Sequence, residues 1–311
     1  MPKIAVLFSG QIREIPPSLF NKSLLLFFKS LDVDFYLTYW DEIGTSMAHS
    51  KAHSNNFFQK NNFFDIDNYL SIAFAGLKIT SKRSFNFDKW ESDLDNTYSE
   101  IHFDNTENSY LTKNSLPQLY LIEECYNLIE KDNNYDFFFR LRFDNLFTLK
   151  FDESEFQKGV YNLNFGNAFY PNRIYDIFFM ASKEYSSSVM RTYSRIPIIY
   201  NSYSNSKLEK RDTCNLLYKS VINEIKTPII KTFDFRYTDV FRPKYGLNNY
   251  ISFISYCYAF NGNFIKRIKI LFKIASNFPE SNRLLIGLGL INLRFNIIKN
   301  LLVHIFKKLI N

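Results

Sequence analysis

The sequence predicts an α/β fold in which a mostly parallel, Rossmann-like sheet is flanked by helices. Three observations carry this expectation. Short apolar runs alternate with helix-length segments over residues 3–240, and that alternation is how parallel sheets are built. Residues 135–147 form the densest strand signal, flanked by Phe137, Phe138, Phe139 and Phe147, as a central, largely buried strand requires. A chain of 311 residues with 46% apolar and 22% charged composition can bury a sizeable core and lacks the signature of disorder.

The elements follow in order. Residues 3–8 read as a first buried strand. Five apolar residues at 4–8, closed by Ser9-Gly10-Gln11, are too few for a signal-peptide core, so the chain is expected to stay in the cytoplasm. Pro16-Pro17 suits a helix entry and residues 18–31 suit the helix. Residues 34–39 read as a second strand ending in Trp40-Asp41. Residues 42–112 are irregular, with short strands expected at 72–74 and 77–80. A helix is expected over 115–131, with Pro117 near its start. The strand at 135–147 follows, then strands at 160–163 and 175–181 and a helix at 184–193. A helix at 208–225 and a last strand at 229–235 complete a domain over residues 1–245.

Residues 246–311 differ in character. From Phe264 to Asn311 nine basic residues face one acidic residue, a net charge of +8 within a chain total of +7. The remainder is therefore nearly neutral, which argues against nucleic acid as a partner. Within residues 284–310 the longest stretch without a charge or Asn, Leu284 to Ile291, is far short of the ~20 residues of a transmembrane helix. An amphipathic helical tail lying on an anionic membrane surface is the expectation; packing against the main domain or a partner subunit is the alternative.

The chemistry concentrates on residues 140–144. In a strand, side chains alternate between faces, so Arg140, Arg142 and Asp144 are expected to share one. Buried charges of this kind need compensation. Either Asp144 pairs internally with an arginine, or the group binds a ligand. Two arginines suit a diphosphate, because guanidinium takes phosphate oxygens in a fork. Ser9, Gly10, Gln11 and Arg13 follow the first strand, where a glycine lets backbone approach a ligand, although an ordinary turn fits as well. Asp41 closes the second strand, as a ligand to ribose or uracil or as a turn cap. Gln118 either faces the same space or lies on a solvated helix face. The cysteines (Cys125, Cys214, Cys257) and the histidines (His49, His53, His102, His304) show no metal-ligand spacing. No Gly-x-Gly-x-x-Gly or Walker pattern is present.

Ser9-Gly10-Gln11-Ile12-Arg13 after the first strand, with Arg140-x-Arg142-x-Asp144 after a central helix, resembles the bacterial glycosyltransferases that build lipopolysaccharide and capsular polysaccharide. The resemblance covers residues 3–240 and implies a GT-A-like fold. It implies transfer of a hexosyl group from a nucleotide-diphosphate sugar, expected as a UDP-sugar, to a glycan acceptor, expected to be lipid-linked. Binding would involve Ser9, Gly10, Gln11, Arg13, Asp41, Gln118, Arg140 and Arg142. Asp144 matches the acidic residue that holds Mg²⁺ or Mn²⁺ in that group. Arg142 stands where an Asp-x-Asp motif has its first aspartate, so arginine can replace part of the cation's role. If the reaction inverts, it needs a carboxylate base; Asp176 is the expected one, with Glu209 and Asp212 as competitors. The enzyme is expected to be peripheral at the inner face of the cell membrane. A phosphotransferase acting on sugar phosphates and a non-catalytic membrane-peripheral binding protein are the other readings.

Overall fold

A computed structural model describes residues 1–12, 17–41, 65–102, 109–129, 134–147, 150–163, 172–201, 212–234 and 238–240. All of these belong to one compact unit made of 1–54 and 61–240. The expected amphipathic tail, 246–311, lies outside the described residues, as do Arg13 and Glu209.

The fold is α/β. Strand β1 (Lys3–Gly10) leads through α1 (Pro17–Phe27) to β2 (Asp32–Trp40). Next come α2 (Ile66–Ala73), β3 (Ile79–Phe85), α3 (Phe87–Ser92), α4 (Asn96–His102) and the long α5 (Ser109–Asn127). Strands β4 (Phe137–Leu141), β5 (Asn145–Phe147), β6 (Val160–Asn162) and β7 (Phe178–Ser182) follow, then helices α6 (Lys183–Met190), α7 (Ile196–Asn201) and α8 (Thr213–Glu224). Strands β8 (Ile230–Thr232) and β9 (Thr238–Val240) come last. Seven strands form one sheet in the order β3-β2-β1-β4-β7-β6-β8, and β5 pairs with β9 in a separate small sheet. In the main sheet only β7 runs against the others.

Strand β1 is central because its six inner residues, Ile4 to Ser9, are all buried. It pairs in parallel with β2 on one side and β4 on the other, so that Phe8 lies opposite both Leu37 and Leu141. Alternation then sorts its side chains. Ala5 and Leu7 pack with Leu116, Leu119 and Ile122 of α5. Phe8 instead meets Phe20, Phe35, Phe74 and Phe143, with ring centroids 5.3 to 6.2 Å apart. Phe27 extends that layer to Phe139, Phe147, Phe151 and Phe178. Aromatic pairs in these arrangements contribute about 0.5–1.5 kcal/mol each beyond burial. Ten of the 34 phenylalanines thus lie in this core layer.

Several expectations need correction. Residues 72–74, expected as a strand, belong to the end of α2 and its cap. Asp65 caps that helix by accepting from the Asn68 amide at 3.0 Å, which starts a helix where the apolar pattern alone suggests extension. Pro117 sits inside α5 rather than near its start. Residues 135–147 are not one strand. The chain leaves the main sheet at Leu141, turns through Arg142 to Asn145, and re-enters extended structure as β5 in the other sheet. The last strand of the described unit is β9, not the segment at 229–235.

Candidate active site at the ends of strands β1 and β4

The main sheet changes direction of growth between β1 and β4. From β1 the chain builds outward to β2 and β3, then returns across β1 to lay down β4 on its other side. Such a switch point opens a crevice at the carboxyl ends of the two strands, where α/β folds bind ligands. Ser9 and Gly10 end β1, and Arg140 to Asp144 lie at and beyond the end of β4.

Arg140 is the last but one residue of β4 and is wholly buried. Its guanidinium donates to the backbone oxygens of Asp176 and Ser9, the latter at 3.3 Å, and more weakly to that of Ile177. Burial and the neighbouring Arg142 pull its pKa down to about 10, despite the carboxylates of Asp176 and Asp144. Arg140 therefore ties β1 to the segment before β7 and has no solvent face.

Arg142 and Asp144 do not owe their position to strand alternation, since both lie in the turn. Asn145 sets that turn. Its amide donates to the Arg142 carbonyl at 3.1 Å, and its side-chain oxygen accepts from the Arg142 amide at 2.7 Å. The Asn145 side-chain amide also donates to Thr238 Oγ1 at 3.3 Å, which anchors the turn to β9. Asparagine favours turns for this reason: its side chain bonds nearby backbone.

The guanidinium of Arg142 grips Asp144 as a fork, Nε to Oδ1 at 2.9 Å and Nη2 to Oδ2 at 2.8 Å. Its Nη1 reaches Asp176 Oδ2 at 3.4 Å. The side chain of Asp144 is 1% exposed, whereas those of Arg142 and Asp176 are 17% and 15% exposed. Asp176 lies in a turn just before β7, not in a strand. Gln118 of α5 donates to its Oδ2, and the Cys214 thiol of α8 lies 3.4 Å from its Oδ1. Burial pushes the Asp176 carboxyl up, but Arg142, Arg140, Gln118 and Cys214 outweigh that, and it ends below the usual carboxylate range. Burial and the Asp176 charge push the Cys214 thiol up to about 12, so it stays protonated. Two guanidinium cations and two carboxylates thus form one cluster with no formal net charge.

The other expected residues divide. Ser9 is buried, and its hydroxyl has no hydrogen-bond partner among the described residues. Gly10 has φ of +128°, which residues with a side chain rarely adopt, and no described residue lies within 4 Å of where a Cβ would stand. Gln118 joins the cluster through Asp176. Gln11 follows at the same strand end and is partly exposed. Asp41 lies at the end of β2, exposed, where its carboxylate accepts from the Asn86 side chain at 3.2 Å. Asp212 caps α8 by accepting from the Asn215 amide at 3.0 Å and pairs with Arg173, an arrangement that suits a cap. Sequence reasoning missed three contributors. Asn145 carried a turn signal, and Cys214 offered none beyond its residue type. Tyr69 of α2 is buried, and its hydroxyl is pushed above its usual pKa by burial and by the charge of Asp144.

The donor set does not fit the divalent cation expected at Asp144. Mg²⁺ and Mn²⁺ seek carboxylate oxygens with open lone pairs. Here one guanidinium holds both oxygens of Asp144, and both oxygens of Asp176 accept from Gln118, Arg142 or Cys214. Any cation entering would stand beside two arginines.

The sequence matches no known family model, and no curated protein is significantly similar to it.

Proposed function

We propose that this chain is a glycosyltransferase with a GT-A-like fold that uses a nucleotide-diphosphate sugar as donor. One observation carries the proposal. At the switch point of the sheet, a glycine with no described residue within 4 Å of its missing Cβ ends β1 near a partly exposed arginine held in position by two carboxylates. Gly10 allows close approach of a ligand to backbone, and Arg142 offers the planar fork that phosphate oxygens accept. The mostly parallel sheet supports the same reading, because ligands of such folds lie at this edge.

In this account Arg142 holds the diphosphate, Asp144 and Asp176 hold Arg142, and Arg140 holds the two strand ends together. Gly10 and Gln11 line the donor side, with the buried Ser9 just before them and Asp41 one strand further out. Asp176 is the carboxylate placed to receive a proton from the acceptor hydroxyl if the reaction inverts. While Arg142 stays against it, its low pKa makes it a weak base. A glycan acceptor, lipid-linked in a cell-surface polysaccharide pathway, fits the basic charge of residues 264–311. No helix among the described residues is long and apolar enough to cross a membrane.

The experiment is a thermal-shift screen of the full chain against UDP-, GDP-, CMP- and dTDP-sugars. A rise in melting temperature with one of the diphosphate-linked sugars, absent with the monophosphate-linked CMP-sugars and lost in Arg142→Leu, supports the reading. No rise with any of them refutes it. One observation favours a second reading, a binding protein without chemistry: the charges of Arg140, Arg142, Asp144 and Asp176 cancel among themselves. That reading predicts no rise in melting temperature with any nucleotide.

A further inference from the structure

The disagreement between the donor set and a metal has a positive content. We propose that Arg142 itself is the anion-binding group of this site, that Asp144 is its resident counter-ion rather than a metal ligand, and that a diphosphate binds with no divalent cation between. This rests on the reading of the site as a diphosphate site.

The geometry supports each part. Asp144 occupies the Nε and Nη2 hydrogens of Arg142 at 2.9 and 2.8 Å, the two-pronged contact that a phosphate also makes. A guanidinium carries five N–H hydrogens, and Asp144 and Asp176 take three of them. One hydrogen on each terminal nitrogen has no acceptor among the described residues. The Arg142 side chain is 17% exposed while that of Asp144 is 1% exposed, so an entering ligand meets the arginine before the carboxylate. The turn itself is pinned through Asn145, so Arg142 is presented from fixed backbone. A carboxylate meant for a metal would be the accessible group, with the arginine elsewhere.

The two roles for Asp144 predict opposite signs. If Asp144 holds a metal, Asp144→Asn abolishes diphosphate binding. If it is a counter-ion, the substitution removes a negative charge beside the anion site, and binding tightens by about tenfold at low salt. The asparagine keeps the shape and one acceptor oxygen for Arg142.

The test is calorimetric titration of UDP and of inorganic pyrophosphate into the full-length chain, in EDTA and then in Mn²⁺. Wild type is expected to bind with the same Kd, within about threefold, in both conditions. Asp144→Asn is expected to bind more tightly in EDTA, and Arg142→Lys, which keeps the charge but loses the fork, to bind at least about tenfold more weakly. Binding by wild type that requires Mn²⁺ would overturn the inference and leave the diphosphate site standing, as would loss of binding in a folded Asp144→Asn protein. No binding of either ligand by wild type in any condition would overturn both. Should Asp144→Asn fail to fold, the comparison of wild type in EDTA and Mn²⁺ still decides.

Discussion

Replacing Arg140 by methionine is expected to destabilise the fold strongly while leaving the anion-binding group in place. Arg140 is wholly buried and donates to the carbonyls of Ser9 and Asp176, joining β1 to the segment before β7. Each buried carbonyl deprived of its donor costs ~1–3 kcal/mol. Methionine restores most of the aliphatic volume, and removal of a fully desolvated cation returns part of the loss. The net expectation is about 2–4 kcal/mol. For a domain of this size that lowers the melting temperature by roughly 5–15 °C. Arg140→Lys should fall between, because a single ammonium cannot span both carbonyls. Thermal and urea denaturation followed by circular dichroism measure this, with the urea midpoint shifting at unchanged slope. A melting temperature within about 2 °C of wild type would refute the assignment of Arg140 to the scaffold. So would loss of nucleotide binding with stability unchanged.

Other perturbations separate scaffold from site. Gly159 and Gly10 both have φ of +128°, but a Cβ at Gly159 would lie 2.6 Å from the Ile229 carbonyl oxygen while one at Gly10 meets no described residue. Gly159→Ala should therefore cost more than Gly10→Ala, whose penalty of ~1–2 kcal/mol is conformational only; equal melting temperatures for the two would contradict this. Asp212→Ala should cost about 1–2 kcal/mol through the lost cap and the half-buried pair with Arg173, with donor turnover retained; abolished turnover in the folded variant would make Asp212 the base. At the opposite end of the sheet, burial pushes the Asp34 carboxyl up, but hydrogen bonds from Lys78 and Tyr135 and the charges of Lys78 and Lys3 bring it below its usual value. Its contribution is therefore complete above about pH 4 and lost as pH falls through the lower folded value. Asp34→Asn should flatten the acid limb of stability measured by urea denaturation between about pH 2 and 5, and an unchanged limb would count against the linkage.

The alternation of apolar strands and helices was legible, and with it the parallel sheet and the identity of β1, β2 and β4. Boundaries failed where side-chain caps decide them. Asp65 and Asn86 start α2 and α3 through local hydrogen bonds that an apolar pattern does not register. The grouping of Arg140, Arg142 and Asp144 was also legible, though for a partly mistaken reason. Strand alternation ends at Leu141, and an asparagine turn brings Arg142 and Asp144 together. What remained hidden was the division of labour. Only tertiary structure shows that Arg140 faces backbone carbonyls while Arg142 faces two carboxylates, because Asp176 and Cys214 arrive from turns and helices far along the chain.

The central claim is donor chemistry at Arg142, and phosphorus NMR of the full chain incubated with nucleotide-sugars and a glycan acceptor tests it most directly. The account predicts release of free nucleoside diphosphate by wild type and none by Arg142→Leu, with no phosphorus appearing on the acceptor. Equal release by the variant, a phosphorylated acceptor, or no turnover of any donor would contradict it.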